Sequence, residues 1–182
     1  AYEDLLARDE LTAEREKEIL DDLSEYKTKP RISVLTPTHN TDRNWLESMI
    51  RSVLDQLYEN WELCICDDGS RQEVWDLLEA YAVNESRIRL VRLTENSGVA
   101  KASNQALRLA TGEYVALVDH DDVISKDALD QVVNAINDEP DADFLYSDED
   151  KIAEGGARCH PFFKPDWSPE LLRCIPYVSH LT

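Results

Sequence analysis

The sequence predicts an α/β domain: a doubly wound, mostly parallel sheet with helices on both faces. Short apolar runs alternate with amphipathic helical patterns along most of the chain. Turn or capping residues separate the runs. Polar and acidic clusters follow the apolar runs at their C-terminal ends, where such sheets bind ligands. The sharpest case is Tyr114-Val115-Ala116-Leu117-Val118, which runs straight into Asp119-His120-Asp121-Asp122. Two carboxylates about 4 Å apart repel by about 4 kcal/mol at an effective dielectric near 20. Water, a shared proton or a divalent cation relieves that repulsion, and an oxygen-only ligand set suits Mg²⁺, Mn²⁺ or Ca²⁺. Taken alone, the same stretch reads equally well as a polar loop after a strand.

Residues 1–29 form a charged, largely helical lead-in, with Thr12 as a cap and Ile19, Leu20 and Leu23 as a narrow apolar stripe. The domain proper is expected over residues 30–182. Arg31–Thr36 is the first strand, ended by Pro37 and a polar Thr38-His39-Asn40 loop. Asn44-x-x-Glu47 reads as a capping box for a helix carrying Leu46, Met49, Ile50, Val53, Leu54 and Leu57 inward. Trp61–Cys66 is the second strand, followed by Asp67-Asp68-Gly69-Ser70. Ser70-x-x-Glu73 reads as a second capping box, with Val74, Leu77, Leu78 and Tyr81 inward. Ile88–Leu93 is the third strand. Asn96-Ser97-Gly98 then opens a helix with Val99, Ala102, Ala106 and Leu109 on one face. Tyr114–Val118 is the fourth strand. Ser125 is expected to cap a helix presenting Leu129, Val132, Val133 and Ile136. Phe144–Ser147 reads as a short fifth strand, Asp148–Pro165 as irregular, Ser168-Pro169 as the start of a short helix, and Tyr177–Thr182 as the beginning of a further strand.

Composition narrows the function classes. The chain has 182 residues, 42% hydrophobic, which suits a globular domain with its own core. Its net charge of −19 would repel a nucleic-acid backbone, and no basic run offsets it. A nucleotide diphosphate would need a cation to bridge it. The four cysteines, Cys64, Cys66, Cys159 and Cys174, show no zinc spacing. They read as free thiols in a reducing compartment, with Cys64 and Cys66 on one strand face. No apolar run approaches a membrane span, and no signal peptide is visible. With five glycines and no GxGxxG after the first strand, a dinucleotide oxidoreductase does not fit, nor does a P-loop enzyme without GxxxxGK[ST]. A phospho-receiver also clusters aspartates at strand ends, but its pattern is not matched.

In a sheet of this class the strand-end clusters share one rim. Thr36-Pro37-Thr38 and Asn40 can offer hydroxyl and backbone groups to a flat base. A carboxylate of Asp67 or Asp68 can accept from an imide N–H such as uracil or thymine presents. The helix opening at Gly98 directs its positive end outward, and Lys101 adds a donor for a phosphate. Asp119 and Asp121 can hold a metal, a ribose hydroxyl, or both, with His120 between them. The bland counterparts are a turn and cap at Asp67-Asp68-Ser70 and a solvated charge at Lys101. His39, His160 and His180 are scattered and are not expected as ligands.

Several of these runs together resemble the GT-A domain of family 2 glycosyltransferases: Ile32–Asn40 (ISVLTPTHN), Trp61–Ser70 (WELCICDDGS), Asn96–Asn104 (NSGVAKASN), and Gly112-Glu113-Tyr114 leading into Asp119-His120-Asp121-Asp122. Tyr146–Lys151 and Phe163–Leu172 are similar to a bacterial subgroup that builds surface polysaccharides. The resemblance covers residues 30–182. It implies transfer of a sugar from a UDP- or dTDP-sugar to the hydroxyl of a saccharide or lipid-linked acceptor, with inversion and with Mn²⁺ or Mg²⁺ as cofactor. It makes Asp121 the direct metal ligand of a DxD motif and gives Asp119 the ribose or the metal. Asp67 or Asp68 would read the base, and Thr36, Pro37 and Thr38 would line the nucleoside pocket. Asn40, Gly98, Lys101 and His120 complete the expected nucleotide-binding set. The family's catalytic base lies on a later helix, so the resemblance implies a donor-binding part of a larger polypeptide. A cytoplasmic location is expected, with attachment at the inner face of a membrane through other parts. A noncatalytic binding or scaffolding domain is the alternative. A nucleotidyltransferase fits less well, because the glycine-rich opening loop is missing.

Overall fold

A computed structural model describes residues 2–8, 10–179 and 181–182; His180 lies outside the described residues. The elements are α1 (Tyr2–Arg8), α2 (Ala13–Glu25), β1 (Ile32–Thr38), α3 (Arg43–Leu54), β2 (Trp61–Asp67), α4 (Gln72–Asn84), β3 (Ile88–Arg92), α5 (Val99–Leu107), β4 (Tyr114–Leu117), α6 (Ala128–Asp138), β5 (Glu149–Ile152), β6 (Arg158–Phe162) and α7 (Pro169–Leu172). The main sheet has four strands in the order β3-β2-β1-β4, all parallel.

Parallel register decides which residues share a face. Ile32, Val34 and Thr36 lie beside Trp61, Leu63 and Ile65. That face packs against Leu46, Met49, Ile50 and Val53 of α3, Val74, Leu77 and Leu78 of α4, and Leu129 and Val133 of α6. Met49, Leu46, Ile50 and Val53 are all fully buried, each worth about 1.5–3 kcal/mol on transfer from water. On the opposite face Leu35, Cys64 and Cys66 meet Ala102 and Ala106 of α5. Small side chains there let the helix lie close to the strands. Burial pushes the Cys64 thiol up to about 12 and the Cys66 thiol up to about 11. These buried thiols are packing groups.

The lead-in docks on the domain. Ile19 of α2 is 1% exposed. The Tyr26 hydroxyl lies 3.3 Å from Asp130 Oδ1 and 3.2 Å from Asn134 Oδ1, both on α6. Lys126 Nζ reaches Glu16 Oε1 at 2.9 Å, and the backbone of Thr28 exchanges two bonds with the Asn137 side chain. Among the described residues no helix is long and apolar enough to cross a membrane.

Several local expectations change. Phe144–Ser147 forms no strand; the extra strands are the antiparallel pair β5 and β6, inside the stretch read as irregular. The described residues of 177–182 form no strand either, although Thr182 O accepts from Leu117 N at 2.7 Å along the edge of β4. α3 is capped by Asp42, whose side chain accepts from Asn44 N, because the helix begins one residue before Asn44. α4 begins after Arg71 with no side-chain cap, since Ser70 Oγ accepts from Asn40 N instead. α6 begins after Asp127, also without a side-chain cap. Val99 stands outward, 68% exposed, because the inward stripe of α5 centres on Ala102 and Ala106. Thr12 and Ser168 do cap α2 and α7.

At the amino-terminal edge of the sheet, Glu62 ties β1, β2, β3 and the turn before β4 together. Its side chain is fully buried and pairs with Arg31 at 3.4 Å and Arg89 at 3.2 Å. Ser33 Oγ and Thr111 Oγ1 donate to Oε1 at 2.7 and 2.9 Å, and the Thr111 N–H donates to the same oxygen. Burial alone would raise its pKa; the Thr111, Ser33 and Arg89 bonds outweigh it and hold the carboxyl at about 2. A depressed carboxyl contributes stability above its unfolded value near 4.5 and loses it as pH falls toward 2. The full effect is about 3 kcal/mol. Glu62→Gln should lose that amount at pH 7 in urea unfolding. The gap from the parent should narrow steadily between pH 4.5 and pH 2. A pH-independent gap would show that the charge contributes nothing.

Candidate functional site

The carboxyl ends of the parallel strands carry the candidate residues to one rim. Backbone pairing continues past the strands themselves: Asp68 N donates to Thr38 O at 2.8 Å, Leu93 N to Asp67 O at 2.8 Å, and Val118 N to Leu35 O at 3.2 Å. The loops after β1, β2, β3 and β4 are therefore fixed relative to one another by the ladder. Asp67 and Asp121 leave the sheet at the same end, on either side of β1.

The β1 loop is fastened to the β2 loop. Thr36 is buried and its hydroxyl donates to Val118 O at 2.9 Å, linking β1 to the start of the acidic loop. Thr38 Oγ1 lies 2.6 Å from Thr41 Oγ1, and Pro37, one residue earlier, is half-buried. His39 Nδ1 lies 2.8 Å from Asp68 O. A carbonyl only accepts, so Nδ1 carries the proton and Nε2 accepts from the Asn40 amide at 3.0 Å. Asn40 takes a left-handed φ of 52°, a conformation asparagine tolerates. Its N–H donates to Ser70 Oγ at 2.8 Å and its Oδ1 accepts from Arg71 N at 2.9 Å.

Both acids of the β2 loop turn inward. Asp67 is 0% exposed; Oδ1 accepts from Ser70 N at 3.1 Å and Oδ2 meets Arg92 Nε at 3.0 Å. Asp68 is 3% exposed; its oxygens accept from Ser97 N at 2.7 Å and Gly98 N at 2.8 Å. Gly69, at φ +69°, lies against the next loop so closely that a Cβ would sit 2.6 Å from the Glu95 carbonyl carbon. Lys101, exposed on the first turn of α5, donates to Ser97 Oγ at 3.1 Å.

The β4 loop differs. Asp119 and Asp121 are exposed, the Asp121 side chain by 46%. His120 Nδ1 lies 3.6 Å from Asp121 Oδ1, and Asp122 N turns back to Asp119 O at 3.2 Å. Among the described residues no group of three or more His, Cys, Asp or Glu is placed to cage a metal. Mg²⁺ is commonly held by only one or two carboxylates and fills its shell with water or phosphate oxygens.

Arg92 is the rim residue that the sequence did not single out. It pairs with Asp67, donates to Ser70 O at 2.8 Å and Gln72 Oε1 at 3.0 Å, and lies over Trp75 at 5.2 Å. The signal is the register that sets Asp67 opposite Arg92; spacing along the chain does not contain it. Gly69, Ser70, Arg92, Leu93 and Thr94 line a surface depression beside this pair.

Comparisons with known proteins place this geometry. A sequence model of glycosyl transferase family 2 matches residues 33–171. The O-antigen biosynthesis protein RfbC of Myxococcus xanthus is 37% identical over 153 residues, which cover 84% of this chain and 12% of RfbC. Among solved structures, Staphylococcus aureus TarS in complex with UDP-GlcNAc is similar with a TM-score of 0.56 at 29% identity, over 60% of this chain and 32% of that one. The mannosyltransferase PcManGT of Pyrobaculum calidifontis, in complex with GDP-Man and Mn²⁺, is similar with a TM-score of 0.56 at 28% identity, over 69% of this chain and 39% of that one. The chain thus spans well under two thirds of the curated relatives it matches. With its parallel sheet and its rim of strand-end loops, the chain belongs to glycosyl transferase family 2.

Proposed function

We propose that this chain is the donor-binding part of an inverting, metal-dependent glycosyltransferase that uses a UDP- or dTDP-sugar. The observation that carries this reading is the contrast on one rim: Asp67 and Asp68 are buried in internal bonds, while Asp119 and Asp121 face solvent. An outward carboxylate pair on a chain of net charge −19 offers a diphosphate no attraction by itself. It offers a cation a good deal. The Mn²⁺ and GDP-Man in PcManGT support this division. UDP-GlcNAc in TarS supports a nucleotide-sugar donor. O-antigen biosynthesis in RfbC supports a saccharide or lipid-linked acceptor.

Asp121, with Asp119, would hold Mn²⁺ or Mg²⁺ at the end of β4. When bound, the ion supplies electrostatic and Lewis-acid relief of the charge on the departing diphosphate. In the transfer, the acceptor oxygen bonds to the anomeric carbon as the bond to the diphosphate oxygen breaks; the electron pair leaves with the nucleoside diphosphate, and the hydroxyl proton passes to a base outside the residues named here. The ladder through Thr36, Pro37 and Thr38 holds the nucleoside crevice in shape. Asn40 keeps the β1 and β2 loops together around it. Lys101 directs an ammonium toward the phosphates, and His120 lies against Asp121. Asp148, Glu149 and Asp150 receive no base role. Asp148 Oδ1 accepts from Lys164 N at 2.7 Å, Glu149 pairs with Lys164 Nζ at 3.1 Å, and Asp150 pairs with Arg158 at 2.6 Å.

Calorimetry tests the metal assignment. UDP should bind the chain in Mn²⁺ at least about tenfold more tightly than in EDTA, a difference of about 1.4 kcal/mol. Asp121→Ala should remove that dependence and leave the melting temperature within about a degree or two, since an exposed position away from packing costs within about 0.5 kcal/mol. Equal affinity of parent and variant for UDP with Mn²⁺ would refute the assignment. Donor hydrolysis, assayed in a chain of the length of its curated relatives, separates a transferase from a binding scaffold. Metal-dependent UDP binding with no hydrolysis there would favour the scaffold.

A further inference from the structure

Lys164 carries a buried charge that the proposed transfer does not use. Its side chain is 1% exposed, a rare state for an ammonium, which is kept out of water only when paired. Nζ meets Glu149 Oε2 at 3.1 Å and donates to Ser179 O. The Lys164 N–H donates to Asp148 Oδ1 at 2.7 Å. One residue therefore joins three separate stretches of chain: the acidic turn at Asp148-Glu149, the exit from β6, and the segment at Ser179. Beside these contacts Ser147 N donates to Leu181 O at 3.2 Å, and Leu117 N, at the end of β4, donates to Thr182 O at 2.7 Å. The clamped stretches thus form a wall along the outer edge of β4, on the side away from β1.

Strand order decides what this wall can touch. On the donor-binding reading, the nucleoside lies over the ends of β1 and β2 and the cation at the end of β4. A diphosphate that joins them runs from β2 toward β4, and the sugar on its far phosphate continues in that direction. Neighbouring strands lie about 4.8 Å apart, so the backbone at Thr182 stands about one such spacing beyond β4. On that reading, we propose that Lys164 is a positioning residue for the donor's sugar: its ammonium pins the Asp148-Glu149 turn and the Ser179 segment as a wall beyond β4, and this wall meets the sugar and not the nucleotide. Removing the clamp then acts on what a nucleotide-sugar has and its nucleotide lacks.

The test uses calorimetry in Mn²⁺ on the parent, Lys164→Met and Glu149→Gln. It compares UDP with UDP-glucose, UDP-galactose and UDP-GlcNAc, and dTDP with dTDP-glucose. Amide exchange at Ser147 and Leu117 reads the wall directly. At least one nucleotide-sugar should bind the parent about tenfold more tightly than its nucleotide. Lys164→Met keeps the length of the stem and removes the charge. It should lose that margin, hold nucleotide affinity within about twofold, and lose amide protection at Ser147 and Leu117. An equal loss for nucleotide and nucleotide-sugar would make the clamp a general scaffold and overturn the proposal. An intact margin would overturn it as well, and so would a lost margin with amide protection unchanged. Should Lys164→Met fail to fold, Glu149→Gln, which keeps the shape and removes the opposite charge, decides by the same readings. A parent that binds neither UDP nor dTDP refutes the donor-binding reading itself. A parent that binds nucleotide but gains nothing from any of these sugars refutes the proposal alone.

Discussion

β1 is hydrogen-bonded in parallel on both sides, to β2 and to β4, and the rest of the molecule depends on that placement. A strand paired on both edges and covered on both faces has side chains that belong alternately to two cores. Val34 points into the larger core and Leu35 into the smaller. The same placement puts the β2 and β4 loops on either side of the β1 loop. The rim is then a consequence of strand order, held by backbone bonds that cost little to keep because the ladder continues into them. Thr36 shows the coupling within one side chain: it is a core position and, through Val118 O, a brace for the acidic loop.

The two ends of this sheet share one electrostatic device and differ in one loop. At the amino end, Glu62 gathers Arg31, Arg89, Ser33 and Thr111 around one fully buried carboxylate. Its charge is matched by donors that belong to the fold. At the carboxyl end, Asp67 and Asp68 are matched in the same way, by Arg92 and by the N–H groups of Ser97 and Gly98. In the β4 loop Asp119 and Asp121 are turned to solvent. A chain with twice as many acidic as basic residues must leave many carboxylates outside. What separates the β4 loop from that general surface is its fixed position at the rim, braced by Thr36 through Val118 O.

Much of the fold was legible because hydrophobic period and burial coincide. Leu46, Met49, Ile50 and Val53 follow a helical repeat and are all buried, and the apolar runs of β1 and β2 are the strands buried on both faces. Helix starts were less legible. Ser70 has the spacing of a cap but is taken by Asn40, a tertiary partner that sequence spacing cannot reveal. Phe144–Ser147 has the composition of a strand, yet Phe144 packs edge-on against Trp167 at 5.5 Å and Tyr146 against Tyr177 at 5.8 Å. Side-chain stacking organises that segment in place of a ladder. Helical periodicity places Val99 inward, because it locates a stripe but not its limits; the side chain is 68% exposed.

The candidate site was legible in which residues gather and illegible in what they do there. Asp67-Asp68 and Asp121-Asp122 are the same dipeptide at the ends of two strands of one sheet. The dipeptide itself gives no ground for treating them differently; only its flanks, Gly69-Ser70 in one case and Asp119-His120 in the other, do. The difference arises from the neighbour that each pair meets in space. Asp68 meets a loop whose N–H groups are directed at it by a glycine with positive φ, and Asp67 meets an arginine one strand over, in register. Among the described residues β4 is one of the two edge strands of the sheet, with β1 on one side and no strand on the other. No further strand-end loop of the sheet is therefore brought against the Asp121 side chain in this way. An aspartate at a strand end becomes an internal brace when the adjoining strand supplies donors, and Asp121, which has no such neighbouring strand on its outer side, stays exposed. Strand order and register therefore decide which of these acids are buried and which are exposed, and neither is encoded in local sequence.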